Sequence, residues 1–164
     1  PALVLQSEFR PHANTLVNGN LYLGREANTV GQVGLRAFAD LYVVRQIGTR
    51  WRTTADAYVG RQQTPEGPRW WAQANLIAER RLSDTWRASG RLEYLHDPHN
   101  VVVAYDRGYP GFRTAASSLG LAKYLDHGLL RLESRLFYSA NDSYPTPGLG
   151  KVARWGVASY TVWF

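Results

Sequence analysis

The 164-residue sequence contains no cysteine, so neither a disulfide framework nor a thiolate metal site is possible. It also lacks any apolar run close to the ~18 residues that a membrane-spanning helix requires, and its mean hydropathy is −0.35. These absences exclude a helical membrane protein. They do not exclude a transmembrane β-barrel, because only alternate residues of each barrel strand face the lipid.

The sequence also lacks any cluster of charges of a single sign. The net charge is +6, from 19 Lys and Arg against 13 Asp and Glu, and a basic excess can indicate nucleic-acid binding. Here the basic residues alternate with Asp and Glu along the chain instead of clustering, so no nucleic-acid partner is predicted. The sequence contains no signal peptide and opens at Pro1 without a Met, and we therefore expect a mature chain or a fragment.

Segments in which apolar and polar residues alternate recur along the whole sequence, whereas helical periodicity is weak. Most of these segments exceed the ~5–6 residues typical of soluble strands and reach the ~9–11 residues needed to cross a bilayer at a tilt. We predict nine strands, at about 2–10, 16–26, 30–46, 49–62, 69–82, 85–97, 112–125, 128–140 and 151–164.

Three observations place the apolar face of these strands against lipid. Aromatic residues of the apolar register lie near strand ends, as in the aromatic girdles of membrane barrels. Connections alternate between tight ones near 47–48, 83–84 and 126–127 and longer ones at 63–68, 98–111 and 141–150. Charged residues of the apolar register lie near strand ends, where they can reach the interface; Arg154 does not fit this pattern. The predicted interface aromatics are Trp51, Trp70, Trp86, Tyr94, Tyr138, Tyr160 and Phe164.

The sequence thus predicts an all-β protein, an antiparallel up-and-down transmembrane β-barrel with about 8–10 strands in a single domain, 1–164. Bacterial single-chain barrels normally have an even strand number. An odd count of nine therefore favours the C-terminal portion of a longer chain that forms a larger barrel. The terminal Phe164, with Tyr160 and Val162 in the same register, resembles the signal that the bacterial barrel-assembly machinery reads.

The polar register carries charges of both signs, for which two interpretations stay open. Opposing Arg and carboxylate groups could line a wet channel and set its selectivity, or they could form a static, salt-bridged interior as in narrow barrels. The predicted lumen-facing charged residues are Arg36, Asp40, Arg52, Asp56, Glu79, Arg87, Arg91, Glu93, Arg131, Glu133 and Arg135.

Signals for enzymatic chemistry are weak. His96, Asp97 and His99 could form a metal site or a protease dyad, but no partnering Ser or third ligand stands at a clear spacing, and we favour a solvated loop with an Asp-Pro turn. We predict no catalytic residue, no metal and no cofactor. The loops at 98–111 and 141–150 could constrict the lumen or bind a surface partner, and we favour plain extracellular loops.

Two stretches carry a resemblance to a known family. Asp84–Asp97 (DTWRASGRLEYLHD), followed by Pro98, and 128–142 (GLLRLESRLFYSAND) are similar to the β-barrel porin-2 family, also called OmpL-like porins. That family tends to show Trp after a short turn, then Arg-x-Glu-Tyr, an Asp-Pro loop and an Arg-x-Glu strand. Residues 41–62, ending in Tyr-x-Gly-Arg, look like its strand–turn–strand units. The resemblance implies a Gram-negative outer-membrane pore and supplies no enzymatic residues.

We therefore predict a porin-like channel, integral to the bacterial outer membrane, for passive diffusion of small polar solutes or ions. The alternatives are a non-conducting scaffold barrel that anchors a surface or envelope complex, and a polysaccharide export duct. The expected partners are outer-membrane lipid and lipopolysaccharide, the barrel-assembly machinery through Phe164, and a homo-oligomer or envelope complex.

Overall fold

A computed structural model describes residues 1–103, 111–141, 144 and 150–163. It is an all-β structure in which nine antiparallel strands form one sheet in their sequence order. Among the described residues there is no helix with the length and apolar content needed to cross a membrane. The strands are β1 (Ala2–His12), β2 (Thr15–Ala27), β3 (Val33–Ile47), β4 (Trp51–Thr64), β5 (Gly67–Arg81), β6 (Trp86–Asp97), β7 (Phe112–Leu125), β8 (Gly128–Ser139) and β9 (Val152–Val162).

All nine predicted strands are confirmed, with ends that differ from the predicted ones by up to three residues, and two of these differences have identifiable reasons. β3 begins at Val33 because residues 28–32 form a turn, in which Asn28 Oδ1 accepts the amide hydrogens of Val30 and Gln32. The predicted long loop at 63–68 is wrong. The Thr64 hydroxyl bonds to Gly67 O (2.8 Å) and Glu66 (2.9 Å), so β4 and β5 join through residues 65–66 alone.

The connections divide between two sides of the sheet. On the first side, which we call the turn side, residues 13–14, 48–50, 82–85 and 126–127 join the strands. On the second, the loop side, the connections are 28–32, 65–66, 98–111 and 140–151. Each strand therefore runs from one side to the other, and the longest connections all lie on the loop side.

The register gives the sheet one apolar and one polar face. Leu41, Ala57 and Ala74 lie opposite one another in β3, β4 and β5, and the residues between them, such as Tyr42 and Asp56, point to the other face. Large apolar side chains on the apolar face are exposed, with Leu119 at 75% and Leu92 at 60%.

The four most deeply buried side chains are polar instead, namely Asn18, Gln62, Asp97 and Ser139, and all four belong to the polar face, whereas few apolar side chains of the described residues are buried. A soluble sheet shows the opposite distribution. The apolar face is therefore a lipid-facing surface, as a transmembrane barrel requires.

The sheet is open in the part of the chain that the structure describes. β1 pairs with β2 and β9 pairs with β8, but no described pairing joins β1 to β9. Each of these strands consequently has one edge of backbone amide and carbonyl groups outside the described ladders. In a hydrocarbon environment such edges are excluded, because unpaired backbone groups cost several kcal/mol each.

Gly60 on β4 makes room for Trp71 on the neighbouring β5. Trp71 is 3% exposed, and a Cβ built on Gly60 would overlap its indole ring. We expect Gly60→Ala to lower the free energy of unfolding by about 1–3 kcal/mol, because overpacking forces the indole out of its position. Urea unfolding in lipid vesicles, followed by tryptophan fluorescence, measures this change.

Gly90→Ala is the matched control for this substitution, because the nearest atoms to a Cβ at Gly90 lie at 3.9 Å, an ordinary contact. Both changes are glycine to alanine within a strand, so the intrinsic strand preference cancels in the comparison. Equal unfolding midpoints for the two variants would contradict the packing role of Gly60.

Candidate functional site

The structure places the eleven charged residues of the polar register on a single face. Their alternation with apolar residues continues across seven strand pairings without a register shift, since the described irregularity falls in β1. These residues are Arg36, Asp40, Arg52, Asp56, Glu79, Arg87, Arg91, Glu93, Arg131, Glu133 and Arg135. The face that they share divides into two halves with different electrostatics.

One half, on β6–β8, carries a closed network of ion pairs. Arg91 contacts Glu133 at 2.6 Å, and Arg135 contacts Glu93. Two longer contacts complete the ring, Arg91 to Glu93 at 3.7 Å and Arg135 to Glu133 at 3.8 Å. Each positive group thus faces two carboxylates, and the network is electrically neutral. We call these four residues the β6–β8 ion network.

The small side chains of β7 make this network possible. Its polar-face residues between 114 and 122 are Thr114, Ala116, Ser118, Gly120 and Ala122. Because they are short, the long side chains of β6 and β8 meet above them although β7 lies between the two strands. The alternation of charged residues did not predict this contact. The run of small residues in the polar register of 114–122 was the signal for it.

A further ion pair lies toward the turn side. Arg87 contacts Glu79 at 3.1 Å, and its guanidinium lies 4.5 Å from the centroid of the Tyr124 ring. Arg131 has no ion pair among the described residues. Beyond these positions, the charges of β3 and β4 are arranged differently.

The second half of the polar face, on β2–β5, holds charges without ionic partners. In the described part of the chain, Asp40, Asp56 and Arg52 form no salt bridge, and the buried Asp40 Oδ1 accepts no hydrogen bond. Arg36 donates to Gln62 Oε1 at 2.6 Å and to Ala27 O at 3.0 Å. Its guanidinium also lies 5.4 Å from the centre of the Trp71 ring.

Arg36 and Asp40 border a groove of about 780 Å³. Tyr22, Arg36, Asp40, Tyr58 and Trp71 line it from the sheet, and Val102 lines it from the connection between β6 and β7. Phe38 and Tyr58 pack against each other with ring centroids 5.1 Å apart. The groove is therefore a polar and aromatic surface with an unpaired carboxylate, suited to contact with hydrated solutes.

Asp97 fixes the segment that supplies Val102. Its Oδ1 accepts the amide hydrogen of Val101 at 2.8 Å, and its Oδ2 accepts those of Val102 and Val103 at 2.9 and 3.0 Å. Asp97 is fully buried and Val101 is 2% exposed. Residues 98–103, which we call the anchored segment, are thus held against the polar face by one carboxylate.

The anchored segment also reaches a distant hairpin. The Thr29 hydroxyl in the turn between β2 and β3 donates to Asn100 O at 2.6 Å. The short connection at 65–66 lies between these two hairpins and leaves space for the contact. The favoured interpretation of 98–111 as a plain extracellular loop does not describe residues 98–103, which pack on the sheet. Residues 104–110 lie outside the described part.

The other long connection is described only in part, because residues 142–143 and 145–149 lie outside the described residues. Tyr144 pairs with Gly150, and the oxygens of Tyr144 and Thr114 lie 2.6 Å apart. Burial raises the pKa of the Tyr144 hydroxyl, and the hydrogen bond with Thr114 opposes that rise. This connection is therefore tied to the loop-side end of β7.

The metal or dyad interpretation of His96, Asp97 and His99 finds no geometric support. His96 and Asp97 are consecutive strand residues and point to opposite faces of the sheet. The imidazole of His96 packs against Trp70 at 5.1 Å on the apolar face, whereas Asp97 is engaged by three backbone amides. Among the described residues, no three His, Cys, Asp or Glu side chains are grouped so that they could hold a metal.

The aromatic residues of the apolar register fall into two rows. Trp70, Tyr94 and Tyr138 lie near the loop-side ends of their strands, and Trp51, Trp86 and Tyr160 lie near the turn-side ends. Phe164, the seventh predicted interface aromatic, lies outside the described residues. Two rows on the lipid-facing surface are the arrangement expected of aromatic girdles.

Comparison with known proteins agrees with this geometry. The model of the family described as "Putative beta-barrel porin-2, OmpL-like" matches residues 1–162, nearly the whole chain. No curated protein and no solved structure gave a significant match. A porin family implies an outer-membrane location and a channel role rather than an enzymatic one. With its lipid-facing sheet and charged opposite face, this chain belongs to the OmpL-like β-barrel porin-2 family.

Proposed function

We propose that this protein is an outer-membrane channel of a Gram-negative bacterium through which small polar solutes or ions diffuse passively. The observation that carries the proposal is the β2–β5 half of the polar face. There, Asp40 lines an aromatic and polar groove, and neither Asp40 nor Asp56 and Arg52 on the same face form a salt bridge among the described residues. Charges left unpaired on an otherwise ordered wall require water or passing ions as partners.

The static-interior alternative accounts for only one half of the face. The β6–β8 ion network is neutral and pairs all four of its charges, as a filled interior would require, although the buried Nε of Arg135 has no hydrogen-bond partner among the described residues. A filled interior would also have to satisfy Asp40, whose Oδ1 is buried without a hydrogen bond. The charges of the β6–β8 half are thus paired, and those of the β2–β5 half are not. This contrast supports a water-filled passage whose wall carries unpaired charges on one side.

We further propose that additional strands close the sheet and turn the polar face into the lumen wall. β1 and β9 run in the same direction, because each lies an even number of strands from the other. An odd number of added strands would keep every neighbouring pair antiparallel and give the even total usual in bacterial barrels. The larger barrel predicted from the sequence meets this requirement.

The remaining partners are proposals on the same basis. Outer-membrane lipid and lipopolysaccharide would contact the exposed apolar face, and the barrel-assembly machinery would recognise the C-terminal segment that ends in Phe164. A homo-oligomer or an envelope complex would use the loop side.

Planar-bilayer recording of the purified full-length protein tests the channel. We expect stepwise conductance whose increments grow in proportion to salt concentration, because ions cross a wet lumen. Folding is checked in the same preparation by the heat-dependent gel mobility that intact barrels show. Folded protein that inserts without any conductance step would refute the channel and favour a scaffold barrel.

A further inference from the structure

The charges on the apolar face are all of one sign. Within the described strands this face carries basic side chains and no Asp or Glu, since every described carboxylate lies on the polar face or in a connection. The polar face, in contrast, mixes Arg with carboxylates. The basic excess of the chain therefore lies chiefly on the lipid-facing surface. The residues are Arg25, Arg45, Arg61, Arg80, Arg113, Lys123 and Arg154.

Four of these residues form a row on the loop side. Arg25 and Arg61 lie in β2 and β4, and Arg113 and Arg154 lie in β7 and β9. None is more than three residues from the loop-side end of its strand, and each belongs to a different loop-side hairpin. We call these four residues the arginine row. Arg154, which did not fit the sequence pattern, is the third residue of β9 and is explained as a member of it.

The arginine row has no partner within the described protein. All four residues are exposed, and their side chains make no salt bridge or hydrogen bond to described residues. Their cross-strand neighbours are largely apolar, as with Leu35 opposite Arg25 and Leu136 opposite Arg154. A guanidinium on an apolar surface with no counterion is unfavourable, so an anion supplied by the surroundings is expected.

The turn side offers an internal contrast. The guanidinium carbon of Arg80 lies 5.4 Å from the ring centroid of Trp51, and the Nζ of Lys123 lies 5.3 Å from the ring centroid of Trp86. These cations have aromatic partners within the sheet, as anchoring residues at a membrane interface commonly do. The loop-side arginines have no such ring contact among the described residues.

We propose that the arginine row binds the phosphate groups of a phosphorylated glycolipid, the class to which lipopolysaccharide belongs. Arg presents planar, multidentate donors that match phosphate oxygens. Members of each pair, Arg25 with Arg61 and Arg113 with Arg154, stand two strands apart, roughly 10 Å across the sheet at the usual strand spacing. Along the strands, the first pair is offset by about two residues (roughly 7 Å) and the second by about four (roughly 13 Å). Each pair can therefore hold one headgroup from both sides, while the acyl chains lie along the apolar face below it.

This inference rests on the proposed outer-membrane placement, with the loop side at the outer leaflet. Binding of purified lipopolysaccharide to the folded, full-length protein in uncharged detergent provides the test. Two combined variants are compared. The arginine-row variant carries Arg25→Gln, Arg61→Gln, Arg113→Gln and Arg154→Gln, and the turn-side control carries Arg45→Gln, Arg80→Gln and Lys123→Gln. We expect the first to weaken binding at least ~10-fold, since each basic residue near an anionic surface contributes about 1 kcal/mol. The control should change it less than about twofold, because its three residues lie on the opposite side of the sheet and two of them, Arg80 and Lys123, already contact aromatic rings.

Two further ligands test whether the arginine row recognises the phosphate groups of the glycolipid. Dephosphorylated lipopolysaccharide should bind as weakly to the wild type as intact lipopolysaccharide binds to the arginine-row variant. Phosphatidylglycerol micelles should bind more weakly than lipopolysaccharide. Equal binding of the dephosphorylated lipid, equal loss in the turn-side control, or equal affinity for phosphatidylglycerol would each overturn the proposal.

Conductance measurements distinguish a failure of the arginine-row proposal from a failure of the channel proposal. Both variants are recorded in bilayers that contain no lipopolysaccharide, where the arginine row has no role in conduction. Conductance equal to the wild type with lost lipopolysaccharide binding supports the row and shows that the variant is folded. A wild type that binds lipopolysaccharide but never conducts would refute the channel and leave the row standing.

Discussion

Asp97→Ala is expected to release the anchored segment and to raise single-channel conductance. The carboxylate accepts three backbone amide hydrogens at 2.8 to 3.0 Å, and the substitution leaves all three donors without this partner. Hydrogen bonds to a charged group contribute ~1.5–3 kcal/mol each. Losing even two of them shifts the local opening equilibrium of residues 98–103 by about 3 kcal/mol or more. The segment then leaves the groove and the passage widens.

Limited proteolysis reports the release independently of conductance. A loss of about 3 kcal/mol in local stability raises the population of the open segment, and with it the cleavage rate, by about 100-fold. Cleavage is expected within 98–103, while the strands remain protected. The Asp97→Ala barrel should keep its heat-dependent gel mobility, because the β6–β7 ladder does not depend on this carboxylate.

Thr29→Val provides the graded control for Asp97. It removes only the 2.6 Å hydrogen bond from the Thr29 hydroxyl to Asn100 O within the segment. A neutral hydrogen bond contributes ~0.5–1.5 kcal/mol, so conductance and cleavage should fall between the wild type and Asp97→Ala. If Asp97→Ala increased cleavage and left conductance unchanged, the anchored segment would not constrict the passage.

Glu93→Gln combined with Glu133→Gln is expected to turn the β6–β8 ion network into an anion-attracting patch. The two carboxylates neutralise Arg91 and Arg135. The glutamine side chain has the same length as glutamate and keeps an acceptor oxygen, but it carries no charge. An uncompensated positive charge attracts an anion ~7 Å away in water with an interaction energy of about 0.6 kcal/mol, which raises the local anion concentration roughly threefold. Two such charges should raise the chloride-to-potassium permeability ratio several-fold.

The reversal potential in a salt gradient measures this ratio. The shift should shrink as salt concentration rises, because the Debye length falls from ~10 Å at 0.1 M to ~3 Å at 1 M. Adding Arg91→Gln and Arg135→Gln to the double variant removes the excess positive charge. Its selectivity should return toward that of the wild type.

Asp84→Asn is the matched control for the selectivity prediction. It also removes a carboxylate from an Arg–carboxylate contact, that of Arg81, but Asp84 is 92% exposed in a turn whereas Glu93 is 17% exposed on the polar face. Its reversal potential should equal that of the wild type. A double variant with unchanged selectivity would show that ions do not pass along the β6–β8 wall.

The sequence by itself determined the strands and their two faces. Alternation is a local property with a period of two residues, so Leu41, Ala57 and Ala74 could be assigned to one face before any pairing was known. The family resemblance of 84–97 and 128–142 was equally local, and the match over residues 1–162 confirmed it. The one wrong connection, 63–68, arose because Pro and Gly were taken as loop signals although Thr64 and Gly67 close a two-residue turn.

Only the tertiary structure decided which charges meet and which remain alone. Arg91 and Glu133 are 42 residues apart in sequence and touch because β7 places only small side chains between them. Thr29 and Asn100 are 71 residues apart and meet because the hairpin between them is short. Arg154 lies near the loop-side end of β9, and only the strand order places it on the same side of the sheet as Arg25, Arg61 and Arg113. Such contacts depend on the register between strands, which alternation within one strand does not contain.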